Sequence, residues 1–255
     1  MARILRVDGD TQREDEDVLA VEEPLEIRVD DKPVSVTLRT PGEDFDLAAG
    51  FLFSESILRS NNDVASYRHW GSPNVVRVGL RDGLHLDVAR LHRHFYSTSS
   101  CGVCGKVTID ALRVHTSPLA STMRVPREIV ITLPDKLLAH QKAFESTGAI
   151  HAAGIFTREG ELLRLREDVG RHNAVDKVIG SFFRESVPLD ERILLVSGRS
   201  SFEIVQKAIV ARIPVLAAVG APSTLAVELA HEFGLTLLGF VRGERFNVYA
   251  GSAIA

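Results

Sequence analysis

The chain has 255 residues, enough for one large domain or two modest ones at roughly 150 residues each. Its 45% hydrophobic and 25% charged content excludes disordered, collagen-like and coiled-coil chains. Thirty basic residues against 34 acidic ones leave a net charge of −4, so no general polyanion-binding surface is expected and nucleic acid is not a predicted partner.

Residues 1–17 hold no seven-residue apolar run and become acidic within ten residues, which argues against a signal peptide. No segment approaches the roughly 18 uninterrupted apolar residues of a membrane helix. The expected location is the reducing cytoplasm, away from membranes. Residues 1–17 are expected to be a flexible acidic tail, with order beginning near Val18.

A strand-rich part is predicted over residues 18–96. Leu25, Ile27 and Val29 alternate with polar residues, as do Val34, Val36 and Leu38, and Asp30-Asp31-Lys32 between them supplies a hairpin turn. Pro41-Gly42-Glu43-Asp44 opens a helix over residues 45–58, with acids in its first turn. Short strands are predicted at 64–70, 75–80 and 84–91. After His92 and His94, residues 97–105 read STSSCGVCG, which has little apolar surface to bury and is expected to be a mobile loop. Helical spacing returns at 107–114 and 137–145, the latter begun by Pro134-Asp135.

From residue 148 onward buried strands alternate with helices. Strands are predicted at 149–156 and 162–165 around the turn Arg158-Glu159-Gly160-Glu161, then at 193–196, 214–219 and 235–241, with helices at 174–183, 202–211 and 225–233. Continuous apolar strands separated by helices indicate a mainly parallel sheet covered on both faces, so residues 106–255 are read as an α/β domain. Ligands of such sheets bind at the carboxyl ends of the strands. Those ends carry Ser197-Gly198-Arg199-Ser200-Ser201, Gly220-Ala221-Pro222-Ser223 and Arg242-Gly243-Glu244-Arg245. Two of the three lead into helix N-termini, which attract anions, and the arginines suit phosphate. The bland alternative is that these serines and glycines only cap helices and turn the chain. Arg171, His172 and Asn173 allow the same two readings, a helix start with Asn173 as cap or a cavity lining. His151 is either a hydrogen-bonded core residue or a neighbour of the site.

Cys101 and Cys104 are the only cysteines, and a pair so close together staples almost nothing as a disulfide. In a turn or helix start, C-x-x-C brings its sulfurs near enough to share a metal, form a disulfide or relay sulfur. Structural zinc needs four ligands, and only His92 and His94 are at hand to complete them. A zinc deaminase requires H-x-E upstream of P-C-x-x-C, whereas His151-Ala152-Ala153 lies downstream and lacks the glutamate. Thioredoxin-like exchange places its pair between strand and helix of a βαβ unit, not after a serine-rich loop. A persulfide-carrying thiolate would gain from Lys106 and from the N–H groups of Gly102 and Gly105. Lowering a thiol pKa from about 8.5 to about 7 raises the ionised fraction about fifteenfold. The spacing alone does not choose among these.

Four longer motifs occur in order: SSCGVCGK at 99–106, REDVGRHNAVDKVIG at 166–180, SGRSSFEIVQKA at 197–208 and GFVRGERFNVY at 239–249. Through them the sequence closely resembles the formate dehydrogenase accessory sulfurtransferase family, FdhD, over nearly the whole chain from about Val18. The resemblance implies a cytidine-deaminase-like α/β fold, usually homodimeric, without the zinc triad. It further implies a cytoplasmic sulfur carrier that takes sulfur from a cysteine desulfurase. The acceptor would be the molybdenum cofactor, as bis-molybdopterin guanine dinucleotide, before it enters formate dehydrogenase. In those terms Cys101 is the persulfide carrier, Cys104 an assistant or second relay, and Phe240, Val241, Arg242, Gly243, Glu244 and Arg245 the cofactor-contacting loop. No permanently bound metal is implied. The rival from another class is a non-catalytic chaperone that binds the cofactor and its enzyme, its cysteines structural or metal-binding.

Overall fold

The computed structural model describes residues 1–84 and 116–255. The predicted strand at 84–91, the cysteine loop and the helix at 107–114 fall wholly or largely outside the described residues.

The first difference from expectation comes at the amino terminus, where residues 1–17 form an antiparallel hairpin of β1 (Ala2–Asp8) and β2 (Thr11–Asp17). Its signal is Gly9-Asp10, the two-residue turn between the strands, with Gly9 at its first position in the left-handed region. Opposite charges also face each other across the ladder, Arg3 against Glu16, with Arg6 and Asp15 paired at 2.8 Å. The acidity that suggested a tail belongs to one solvent-facing strand.

Next comes a four-stranded sheet in the order β4-β3-β6-β5, built from β3 (Glu23–Val29), β4 (Lys32–Arg39), β5 (Val64–His69) and β6 (Val75–Leu80). The predicted 25/27/29 alternation faces Leu47, Ala48 and Leu52 of helix α1 (Asp44–Ser54) in one apolar cluster. This helix stops four residues earlier than its apolar spacing suggests. Ser56 turns left-handed, and the N–H groups of Ile57 and Leu58 return to the Leu52 carbonyl.

The second sheet has six strands in the order β12-β11-β10-β9-β7-β8. Its members are β7 (His151–Phe156), β8 (Leu162–Asp168), β9 (Ile193–Val196), β10 (Val215–Ala218), β11 (Thr236–Arg242) and β12 (Arg245–Ala250). The α/β class holds, with the parallel pairing confined to β9-β10-β11 and antiparallel strands on both sides. Alternation along β9 explains its unbroken apolar run. Leu194 and Val196 pack under α5 (Arg171–Arg184), α6 (Phe202–Val210) and α7 (Thr224–Phe233), while Ile193 and Leu195 meet α2 (Arg127–Val130) and α3 (Leu133–Leu138) on the other face.

One predicted helix is divided. The 137–145 stretch becomes the end of α3 and a separate α4 (Lys142–Thr147), because the Glu167 carboxylate of β8 accepts the Ala143 and Phe144 N–H groups and caps a new helix start. The two sheets are joined by α1 against α5, where Gly50 and Gly180 face each other. A Cβ on Gly50 would lie 1.9 Å from the Asp176 carbonyl oxygen, and one on Gly180 would lie 1.9 Å from that of Asp46. Beside this contact Arg166 and Arg184 both hold the Asp46 carboxylate, the first at 2.8 Å.

Candidate functional site

The carboxyl ends of β9, β10 and β11 converge through backbone hydrogen bonds between their loops. Gly220 N–H donates to Gly198 O at 3.0 Å, Ser200 N–H to Ala221 O at 3.2 Å, and Phe240 N–H to Gly220 O at 3.1 Å. Glycine permits this closeness, since a Cβ on Gly220 would sit 3.0 Å from the Gly198 oxygen and from Arg199 Cγ. A Cβ on Gly198 would touch His151 Nδ1 at 3.4 Å and Arg171 Cδ at 3.7 Å, so residues 151, 171 and 198 stand side by side.

Helix α5 starts at Arg171, three residues earlier than predicted, with Gly170 rather than Asn173 as its cap. Asn173 is held instead by tertiary contacts: its Nδ2 donates to Leu38 O at 2.7 Å and Asp168 Oδ1 at 3.0 Å, and it accepts from Thr37 Oγ1 at 3.2 Å. Asp168 also receives Thr40 N–H and pairs with Lys177 at 2.8 Å, both side chains fully buried. This knot fixes the amino end of α5 against the first sheet.

His172, next along α5, lies 2.9 Å from Ser201 Oγ and 3.8 Å from Glu203 Oε2. Burial, assisted by the charges of Lys207, Arg171 and His151, pushes its pKa down to about 3, so the imidazole is neutral at ordinary pH. His151 is likewise held below the usual histidine range by burial and by Arg171 and Arg199. One helical turn deeper, Lys207 donates to both Asp176 oxygens at 2.9 Å and to Ser54 Oγ at 2.9 Å. Burial opposes its charge, yet Asp176 and Glu55 keep its pKa above the ordinary lysine value. The proximity of His172 to Ser201 is a feature the sequence reading missed. The two residues are 29 positions apart and meet only because α5 and α6 start at the same end of the sheet. Among the described residues no group of three or more His, Cys, Asp or Glu is placed to hold a metal.

The predicted 240–245 loop lies at the same end. Phe240, partly buried, adopts a left-handed φ of 54°, unusual for a bulky residue and characteristic of strained sites. Val241 is completely buried in the core on the α2–α3 face, so its side chain is structural. Arg242 and Arg245 face each other across a two-residue turn in which Gly243 supplies the positive φ. Both arginines and Glu244 are exposed, and neither arginine has an ion pair among the described residues. Cys101 and Cys104 lie outside the described residues. A cavity of about 580 Å³ bounded by Phe53, Phe183, Leu189 and Arg212 sits at the opposite, amino ends of the parallel strands, away from this cluster.

The model of the FdhD/NarQ family matches residues 20–254. The chain belongs to that family. Among curated relatives, a Streptomyces coelicolor protein named sulfur carrier protein FdhD is 51% identical, with 92% of this chain and 88% of that one covered. Proteins of the same name from Nocardia farcinica and Sulfolobus acidocaldarius are 48% and 44% identical, covering 98% and 97% of this chain and 92% and 94% of their own lengths. The crystal structure of a candidate formate dehydrogenase accessory protein from Desulfotalea psychrophila superposes with a TM-score of 0.81. It is 23% identical and covers 100% of this chain and 98% of that one, a likeness of fold. The FdhD/NarQ match spans both sheets and all three strand-end loops.

Proposed function

We propose that this chain is a sulfur carrier that holds sulfane sulfur as a persulfide on Cys101 and delivers it to the molybdenum cofactor destined for formate dehydrogenase. The observation that carries the reading is the arginine-bearing convergence of three strand ends in a chain about half identical to proteins named sulfur carriers. The donor is a cysteine desulfurase. The Cys101 thiolate attacks the outer sulfur of the donor's persulfide, the S–S bond breaks, and the electron pair leaves on the donor's thiolate. Cys104 acts as an assisting or relaying thiol. The acceptor, a bis-molybdopterin guanine dinucleotide, is a substrate rather than a resident cofactor, and its phosphates meet the exposed Arg242–Arg245 turn, with Phe240 beside it. The carrier works in the cytoplasm as a homodimer, in transient contact with formate dehydrogenase. No helix among the described residues is long and apolar enough to cross a membrane.

Mass spectrometry after incubation with a cysteine desulfurase and cysteine should show a gain of about 32 Da on the Cys101 peptide, removed by thiol reductant. Cys101→Ala should abolish both the gain and the maturation of formate dehydrogenase. Active dehydrogenase formed with Cys101→Ala would overturn the carrier reading. If Arg242→Ala and Arg245→Ala then abolished cofactor binding, the chain would instead be a cofactor chaperone.

A further inference from the structure

The amino-terminal hairpin and the first sheet each leave an apolar face uncovered. Among the described residues the hairpin of β1 and β2 is a two-stranded sheet of its own, paired with no other strand, and none of its residues is buried. A lone two-stranded hairpin is at best marginally stable in water, so its order calls for a surface to lie on. Opposition of Leu5 to Glu14 and of Arg3 to Glu16 puts Arg3, Leu5, Val7, Glu14 and Glu16 on one side of it. Leu5 and Val7 are each 58% exposed, and residues 1–17 carry six acids against three arginines. The family match begins at residue 20, so the hairpin lies ahead of the matched region.

The second uncovered face is the side of the first sheet turned away from α1. There Val36, Leu38 and Trp70 are 67%, 49% and 44% exposed. The strand register sets Arg28 of β3 beside Arg77 of β6, and Arg77 beside Arg68 of β5, in one row. Trp70 packs against that row, 5.0 Å from the Arg28 guanidinium and 5.6 Å from that of Arg77. Glu26 holds Arg28 and Asp31 holds Arg77, whereas the exposed Arg68 has no ion pair among the described residues. A tryptophan set among arginines is the residue mixture that dominates binding energy at protein interfaces.

We propose that the β1–β2 hairpin of one copy of this chain lies across the outer face of the first sheet of a second copy, and that the exchange is reciprocal. Leu5 and Val7 cover Val36, Leu38 and Trp70, while Glu14 and Glu16 meet Arg68 and the arginine row. Apolar side chains thus face apolar ones, and the acidic strand faces the basic row. Both complementary faces belong to one chain, so a two-fold pair covers all of them at once and leaves none open. Residues 18–22 between β2 and β3 reach about 17 Å when extended, which lets the hairpin cross to a neighbour. This interface rests on the homodimer reading and gives it a location.

The test is sedimentation equilibrium of the full chain. The wild type should show twice the 28.0 kDa mass of one chain and dissociate more readily as salt rises. Deletion of residues 2–17, none of them buried, should give a monomer. Leu5→Glu and Val36→Glu should each weaken the dimer by about tenfold or more. Charge reversal separates exchange from any other contact. A chain with Glu14→Arg and Glu16→Arg, and another with Arg68→Glu and Arg77→Glu, should each be largely monomeric alone. Mixed, they should form a dimer, because both exchanged contacts then join opposite charges. Arg68→Glu by itself, at an exposed site outside the ion pairs, should show the same pattern more weakly. A dimer that survives the deletion, or folded charge-reversed chains that stay monomeric when mixed, would overturn the exchange and leave the homodimer reading standing. A wild-type chain that is monomeric at about 50 μM, as docking within one chain would make it, would overturn both.

Discussion

Replacing Gly180 by alanine sets two effects of opposite sign against each other at the seam between the sheets. In an ordinary helix interior the change stabilises by about 1 kcal/mol, because alanine loses less backbone entropy on folding. Here the new methyl would arrive 1.9 Å from the Asp46 carbonyl and 2.5 Å from Gly50 N, roughly 1 Å closer than real Cβ contacts come. Both obstacles are backbone, so α1 and α5 must separate, and the Asp46 pairs with Arg166 and Arg184 are pulled along with them. Overpacking of this kind costs about 3 kcal/mol or more, leaving a net loss of about 2 kcal/mol. For a chain of this size that corresponds to a drop in Tm of about 4–8 °C. Urea titration should show a lower midpoint with unchanged slope. Gly50→Ala should behave alike, and the double variant should lose less than the sum, since one separation of the helices accommodates both methyls. A stabilised Gly180→Ala protein, or strict additivity in the double variant, would refute the close approach.

Asp168→Asn should destabilise by about 3–5 kcal/mol in the same urea titration, because it strands the fully buried Lys177 charge and loosens the Thr40 contact at the start of α5. His172 carries a pH dependence. Its folded pKa lies far below the unfolded value near 6.5, so the unfolded chain takes up a proton first as pH falls, and stability is lost from about pH 6.5 down toward pH 3. Between pH 7 and pH 5 this amounts to about 2 kcal/mol. The wild-type urea midpoint should therefore fall more steeply over that interval than that of His172→Gln, and parallel curves would contradict a neutral buried imidazole.

Much of the fold was legible because its strands and helices carry their own periodicity. The 25/27/29 alternation, the apolar runs at 193–196 and 215–218, and the serine cap of α7 each reflect a local rule, and each element stands where it was expected. The failures were of two kinds. In the first, the acidic composition of residues 8–17 points to a tail while the Gly9-Asp10 turn makes a hairpin. In the second, the deciding partner lay far away in sequence. Glu167 caps α4 from another strand, and Leu38 and Asp168 occupy the Asn173 side chain that would otherwise have capped α5. No window of neighbouring residues contains those partners.

The candidate site was legible in the same measure. Topology alone puts the ends of three adjacent strands on one edge, so Arg199, Gly220 and Arg242 could be grouped from the element order. What the order could not convey is how charge is cancelled inside the group. Arg171 and Lys177 sit six residues apart on one helix and look equivalent in sequence. Lys177 is consumed by Asp168 in the interior, while Arg171 is set at the helix mouth, its Nε without a hydrogen-bond partner among the described residues. That difference depends on which side of α5 meets the first sheet, and hence on Gly50 and Gly180 allowing the two helices to close. The glycine seam and the polar cluster at the start of α5 are therefore coupled. A variant that opens the seam should relax the Lys177–Asp168 and Lys207–Asp176 pairs, and its urea midpoint should fall further than strain at the two glycines alone would require.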